Sequence, residues 1–182
     1  MLYPDAKGNG TVIIPRLPRP GEELLFGILH IFRYTIRRMS GGEFPRGFLA
    51  PGLTPRANAC KKLKEELGVP AGQLTELALL GQTRADTGLK SGQAQGYLAD
   101  LTGPTPQPSV GEEGIARGGW ISRTELLRHI RDGEILDGYT QTAILLYLLH
   151  KNRKSNRPQQ YMARDEKTLQ RSRSIRKESV ST

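Results

Sequence analysis

A single cysteine, Cys60, stands alone among 182 residues. That excludes an intramolecular disulfide and a cysteine-built zinc site. Long apolar runs are missing too, and no stretch approaches the roughly 18 uninterrupted apolar residues of a spanning helix. The first ten residues, MLYPDAKGNG, lack a basic start followed by an apolar run, so no secretory leader is expected. Histidine is scarce: His30, His129 and His150 are far apart, show no ligand spacing and read as structural. No internal repeat is visible. What is present, 36% hydrophobic and 25% charged residues, fits one globular domain with a proper core and is too little for two. The expectation is a soluble cytoplasmic protein with no membrane contact.

Charge is unevenly spread. Lys and Arg number 27 against 18 Asp and Glu, a net of +9. The last 32 residues hold ten basic and three acidic side chains, a net of +7, which leaves about +2 for the first 150. We therefore expect a domain over residues 1–150 and a basic tail over 151–182. The tail has few large apolar residues, so it cannot offset its ordering entropy and is expected to be flexible or partly helical. It could attract nucleic acid or an acidic partner, or serve only as a solubilising extension.

The body reads as mixed strand and helix. Thr11–Ile14 is a β-branched run that Pro15 should end, followed by a proline-punctuated loop to Gly21. Leu24–Tyr34 has the aromatic and β-branched content of a central strand; a buried helix competes, but Gly27 and missing caps favour the strand. Thr54 can cap a helix that Pro55 opens and Gly68 closes. Ala59, Cys60, Leu63 and Leu67 form its apolar stripe, so Cys60 is expected to be a buried, inert thiol. Leu77–Leu80 and Gln95–Leu101 look like strands, with a proline-rich loop over Gly103–Ser109. Ser122 and Glu125 form a capping box for a helix ended at Gly133, and Thr140–His150 is a strongly apolar helix. Trp120 is expected in the core.

One segment carries chemistry. Gly47–Val69, GFLAPGLTPRANACKKLKEELGV, resembles the Nudix box: Gly, five residues, Glu, seven residues, Arg-Glu, an aliphatic, any residue, Glu-Glu, any residue, Gly, an aliphatic. The spacing is kept without insertion or deletion. Gly47, Leu63, Glu65, Glu66, Gly68 and Val69 match. Leu53 stands where the first Glu belongs, Lys61 where the Arg belongs and Lys62 where the adjacent Glu belongs. Phe32-Arg-Tyr34, Glu43-Phe-Pro-Arg-Gly47, Thr87-Gly-Leu89, Glu113-Gly-Ile115, Trp120, Glu125-Leu126 and Gly133–Asp137 follow in the order seen in ADP-ribose pyrophosphatases. The resemblance spans roughly residues 10 to 150 and implies an α/β/α sandwich around a mixed β-sheet.

The resemblance implies further expectations. Nudix enzymes hydrolyse a nucleoside diphosphate linked to another group, with Mg²⁺ or Mn²⁺ neutralising the diphosphate and orienting water. Carboxylates at 62, 65 and 66, at i, i+3 and i+4, would share one helix face and bind the ion. Here Glu65 and Glu66 are the remaining metal ligands, with Glu66 also catalytic, unless they only solvate a helix face. Lys62, an ammonium with no lone pair, could pair with Glu66 in place of the metal. The family's brace between the first Glu and the Arg is lost at Leu53 and Lys61, and Leu89–Gln93 lacks the carboxylate often found in that loop. Arg33 and Arg46, otherwise surface charges, would line the diphosphate pocket with Glu43 beside them. Glu112 and Glu113 either cap a loop or supply a base, with Glu112 as candidate. A homodimer is also implied. Three functions remain open: a hydrolase of nucleoside diphosphate sugars, ADP-ribose above all, a module of the same fold that holds a nucleotide or a partner uncleaved, or a nucleic-acid-associated protein using the basic tail. Positions 53, 61 and 62 favour the second chemically; family membership favours the first in broad substrate class.

Overall fold

The computed structural model describes residues 9–84, 87–88, 91–108 and 114–155. The chain divides into a unit Met1–Tyr147 and a second unit Leu148–Thr182. Of the basic tail only helical residues up to Ser155 fall among those described. No helix among the described residues is long and apolar enough to cross a membrane.

Seven strands make one mixed sheet. They are β1 (Gly10–Leu17), β2 (Leu25–Arg33), β3 (Arg38–Met39), β4 (Arg46–Phe48), β5 (Leu74–Thr83), β6 (Ala94–Leu101) and β7 (Ile115–Ser122). The main order is β3-β2-β1-β6-β5, with β4 on β1 and β7 on β2. β1 runs parallel to β6, and the other pairings are antiparallel. β1 sits in the middle and is buried on both faces, which explains why its apolar residues run continuously instead of alternating.

Helix α1 (Pro55–Leu67) covers one face, where Ala59, Leu63 and Leu67 pack on Ile13, Leu17, Leu29, Tyr97 and Ala99. On the other face lies α3 (Gly138–Ser155): Leu146 lies against Gly81 and Gly96, and Tyr147 meets Phe26 edge-on. The α/β/α sandwich is therefore present. Helix α2 (Arg123–Arg131) follows β7 and has the full Ser122–Glu125 capping box.

Two expectations need correction. Pro15 does not end β1, which continues to Leu17. The Ile13 N–H points to the β4 side, toward the Pro45 carbonyl, so Pro15, two residues on, would direct its missing N–H the same way. Register pairing there stops at Val12 and resumes at Arg16 with β2, so the proline falls in the gap and costs no ladder bond. Cys60 is exposed, not buried. The buried arc of α1 is Asn58, Ala59, Lys62, Leu63, Glu66 and Leu67, rotated toward polar residues and away from Cys60.

Strand β7 gave no sequence signal, because Gly118 and Gly119 are poor strand formers. Gly118 is required by packing: a methyl group there would overlap the Pro108 ring. The proline-rich loop lies over β7, and Trp120, partly buried against the core, donates its indole N–H to the Pro106 carbonyl at 3.0 Å.

The end of α1 sets the depth at which its polar residues sit. Gly68 has φ 65° and its N–H bonds to the Lys64 carbonyl, an αL stop, and the Val69 N–H bonds to the Leu63 carbonyl beyond it. A Cβ at position 68 would also collide with the Gln107 carbonyl. We expect Gly68→Ala to destabilise the fold by about 2 kcal/mol in urea unfolding. A loss below roughly 0.5 kcal/mol, the scale of an ordinary surface change, would contradict this geometry.

Candidate functional site

The polar arc of α1 faces β4. Residue 47 must be small: a Cβ on Gly47 would run into Lys62 Cε, so the lysine stem lies directly on the strand. Lys62 is 7% exposed. Its Nζ lies 3.5 Å from Glu66 Oε1 and 3.5 Å from Glu65 Oε2. The Lys61 ammonium takes the other oxygen of Glu65 at 2.9 Å. Glu65 is held below the ordinary carboxylate range, first by its hydrogen bond with Lys61 and then by the charges of both lysines. Glu66, buried, accepts from the Arg46 backbone N–H at 3.2 Å and so ties the helix to β4.

A second cluster adjoins the first. Glu43 is 1% exposed, and its backbone exchanges two 2.8 Å hydrogen bonds with Leu29 of β2. Arg33 grips its carboxylate with two nitrogens, Nε at 2.8 Å and Nη2 at 2.5 Å. Arg46 Nε donates to Glu43 Oε2 at 3.0 Å. Burial alone would push the Glu43 carboxyl upward, but the hydrogen bond from Arg33 and the charges of Arg46 and Arg33 outweigh it and hold it below 4.5. Arg46 reaches on to Asp137 Oδ1 at 3.1 Å, and its guanidinium lies 5.2 Å from the centre of the Tyr139 ring. The other Asp137 oxygen accepts from the Thr140 N–H at 2.9 Å and hydroxyl at 2.8 Å, capping the start of α3.

Arg33, Glu43, Arg46, Glu65 and Glu66 thus converge around the β2–β4–α1 corner. Glu112 and Glu113 lie outside the described residues, as do Leu89 and Lys90 of the loop after β5. Asp137 and Tyr139 were not singled out as site residues. An aspartate just before a helix reads as a cap, and nothing in its local sequence announces the arginine on its second oxygen.

Would the corner hold a divalent ion? Mg²⁺ needs oxygen donors in near-octahedral array. Between Glu65 and Glu66 stands an ammonium that donates no lone pair and repels a second cation. Among the described residues no three His, Cys, Asp or Glu side chains gather as a metal-holding group. The donor set does not fit the ion.

By sequence, no family model matches the chain, and neither does any curated protein. Solved structures do match. A Listeria monocytogenes protein described as a Nudix hydrolase superposes with TM-score 0.59 at 17% identity, over 81% of this chain and 95% of that one. RenU, a Nudix hydrolase from M. smegmatis, gives TM-score 0.58 at 17% identity, over 84% and 89%. The chain has the Nudix fold.

Two outcomes follow. Glu43→Gln leaves two guanidiniums without their shared anion and is expected to cost about 3 kcal/mol at pH 7. Because the folded carboxyl titrates below its ordinary 4.5, its contribution is present above that pH and fades as pH falls through the folded value. The gap between wild type and variant should therefore narrow below pH 4.5 in denaturation curves; a gap that is constant from pH 7 to 3 would contradict the network. Separately, Lys62→Glu with Leu53→Glu and Lys61→Arg should create Mg²⁺ affinity measurable by calorimetry, and no heat from that triple variant would count against the alignment of α1.

Proposed function

We propose that this protein binds a nucleoside diphosphate-type ligand, ADP-ribose or a related nucleotide sugar, and holds it without metal-dependent cleavage. The position of Lys62 carries this reading: a nearly buried ammonium lies 3.5 Å from each of two carboxylates on the helix face where the metal ligands are expected. Its positive charge is built into the chain, so anion binding at this corner needs no ion from solution. Arg33 and Arg46 are the ligand's phosphate partners. Their bonds to Glu43 and Asp137 use Nε and Nη2 of each, leaving Nη1 outside these pairs. A guanidinium pinned in this way loses little further freedom when a phosphate arrives.

Hydrolysis is the second reading, favoured by the survival of Glu65 and Glu66 at box spacing beside Arg46. It assigns metal binding to both, catalysis to Glu66 and Glu112, and requires Mg²⁺ or Mn²⁺ to displace the lysine ammonium. A single preparation separates the two. Calorimetry with ADP-ribose in EDTA is expected to show binding, weakened about tenfold by Arg33→Ala. Incubation with Mg²⁺ or Mn²⁺ is expected to release no AMP. Metal-dependent AMP release that Glu66→Gln abolishes would establish the hydrolase instead, and no heat from any nucleotide would remove the binding reading.

A further inference from the structure

We propose that Arg38 is an additional anion-binding side chain at the outer end of this corner, selecting ligands with a phosphate beyond the diphosphate, such as nucleoside triphosphates. The inference rests on the binding reading above and extends it by one residue.

In the β2–β3 hairpin, Arg33 pairs directly with Arg38, and Phe32 with Met39. Residues directly opposite in an antiparallel pair share a face, with Cβ atoms roughly 4.5–5.5 Å apart. Arg38 therefore lies on the face where Arg33 meets Glu43, while Phe32 and Met39 lie on the other. The turn fixes this register. The Ile36 N–H bonds to the Arg33 carbonyl at 3.2 Å, the Arg37 N–H bonds to the Tyr34 carbonyl at 3.3 Å, and Arg37 is held at φ 51°. A non-glycine residue stays in that region only when its surroundings hold it there.

Two like charges directly opposite each other destabilise a strand pair. Glu43 relieves Arg33, but its carboxylate already accepts three hydrogen bonds from Arg33 and Arg46. Arg38 is exposed, and among the described residues it makes no ion pair or side-chain hydrogen bond. Among the described residues the hairpin thus holds a guanidinium with no carboxylate of its own beside one that has been neutralised. An anion reaching past Arg33 and Arg46 would meet it. A diphosphate gripped by those two arginines leaves Arg38 for the next phosphate along, where a planar fork suits phosphate oxygens.

The test compares ATP and ADP-ribose by calorimetry in EDTA, for wild type, Arg38→Gln and Arg38→Lys. Wild type should prefer ATP. Arg38→Gln should weaken ATP about fivefold and leave ADP-ribose within about twofold, with no fall in Tm. Arg38→Lys, which keeps the charge, should retain most of the preference, and added salt should shrink it. Equal loss for both ligands, no loss for ATP, or a lowered Tm for Arg38→Gln would overturn the assignment. If ADP-ribose binds while ATP ignores the variant, this inference alone fails; if neither ligand binds, the binding reading fails with it.

Discussion

The carboxylate of Glu43 organises the corner. Shut away from water, it is the shared anion of two guanidiniums brought from different strands, Arg33 at the end of β2 and Arg46 at the start of β4. A buried ion pair of this kind adds little to net stability, because desolvation offsets most of the attraction. Its effect is geometric. Without the shared anion the two cations would repel, and β4 would lose the contact that orients Arg46 toward Asp137 and the first turn of α3. Sheet and both flanking helices meet at this point through hydrogen bonds rather than apolar packing.

Lys62 occupies the neighbouring position on chemically different terms. A metal ion binds reversibly and can leave with a product; a lysine cannot. An amine fixed between Glu65 and Glu66 satisfies the helix face permanently, and the absence of a side chain on Gly47 lets its stem reach that place along β4. The positive group at this corner belongs to the chain itself, held 3.5 Å from each of two carboxylates. Whatever binds there meets a charge distribution that the chain itself sets.

Much of this was legible beforehand. Caps are local chemistry, so Thr54, Gly68 and the Ser122–Glu125 box could be read directly. The central strands were visible as apolar runs. The Lys62–Glu66 contact followed from helical spacing, which needs no tertiary knowledge. What escaped reading depends on neighbours distant in sequence. Pro15 continues a strand because β4 and β2 leave a gap on one side of it while β6 pairs with it on the other, and β7 is a strand despite two glycines because β2 pairs along it. Cys60 was placed inside by an apolar stripe, whereas the helix had turned its polar residues inward to meet Arg46 and Thr11. Asp137 met Arg46 across a separation that no local pattern encodes.

The outer strand of the sheet has a further consequence. β5 is ten residues long, and among the described residues only β6 pairs with it. A long bare rim normally invites another chain to add to it. Here the ladder with β6 slips between Leu74 and Glu76 and again between Leu79 and Gly81. Each irregularity re-aims the backbone groups that a newcomer would need in straight sequence. The rim is thereby cut into short lengths, which guards the chain against fibrillar stacking although Leu79 is exposed.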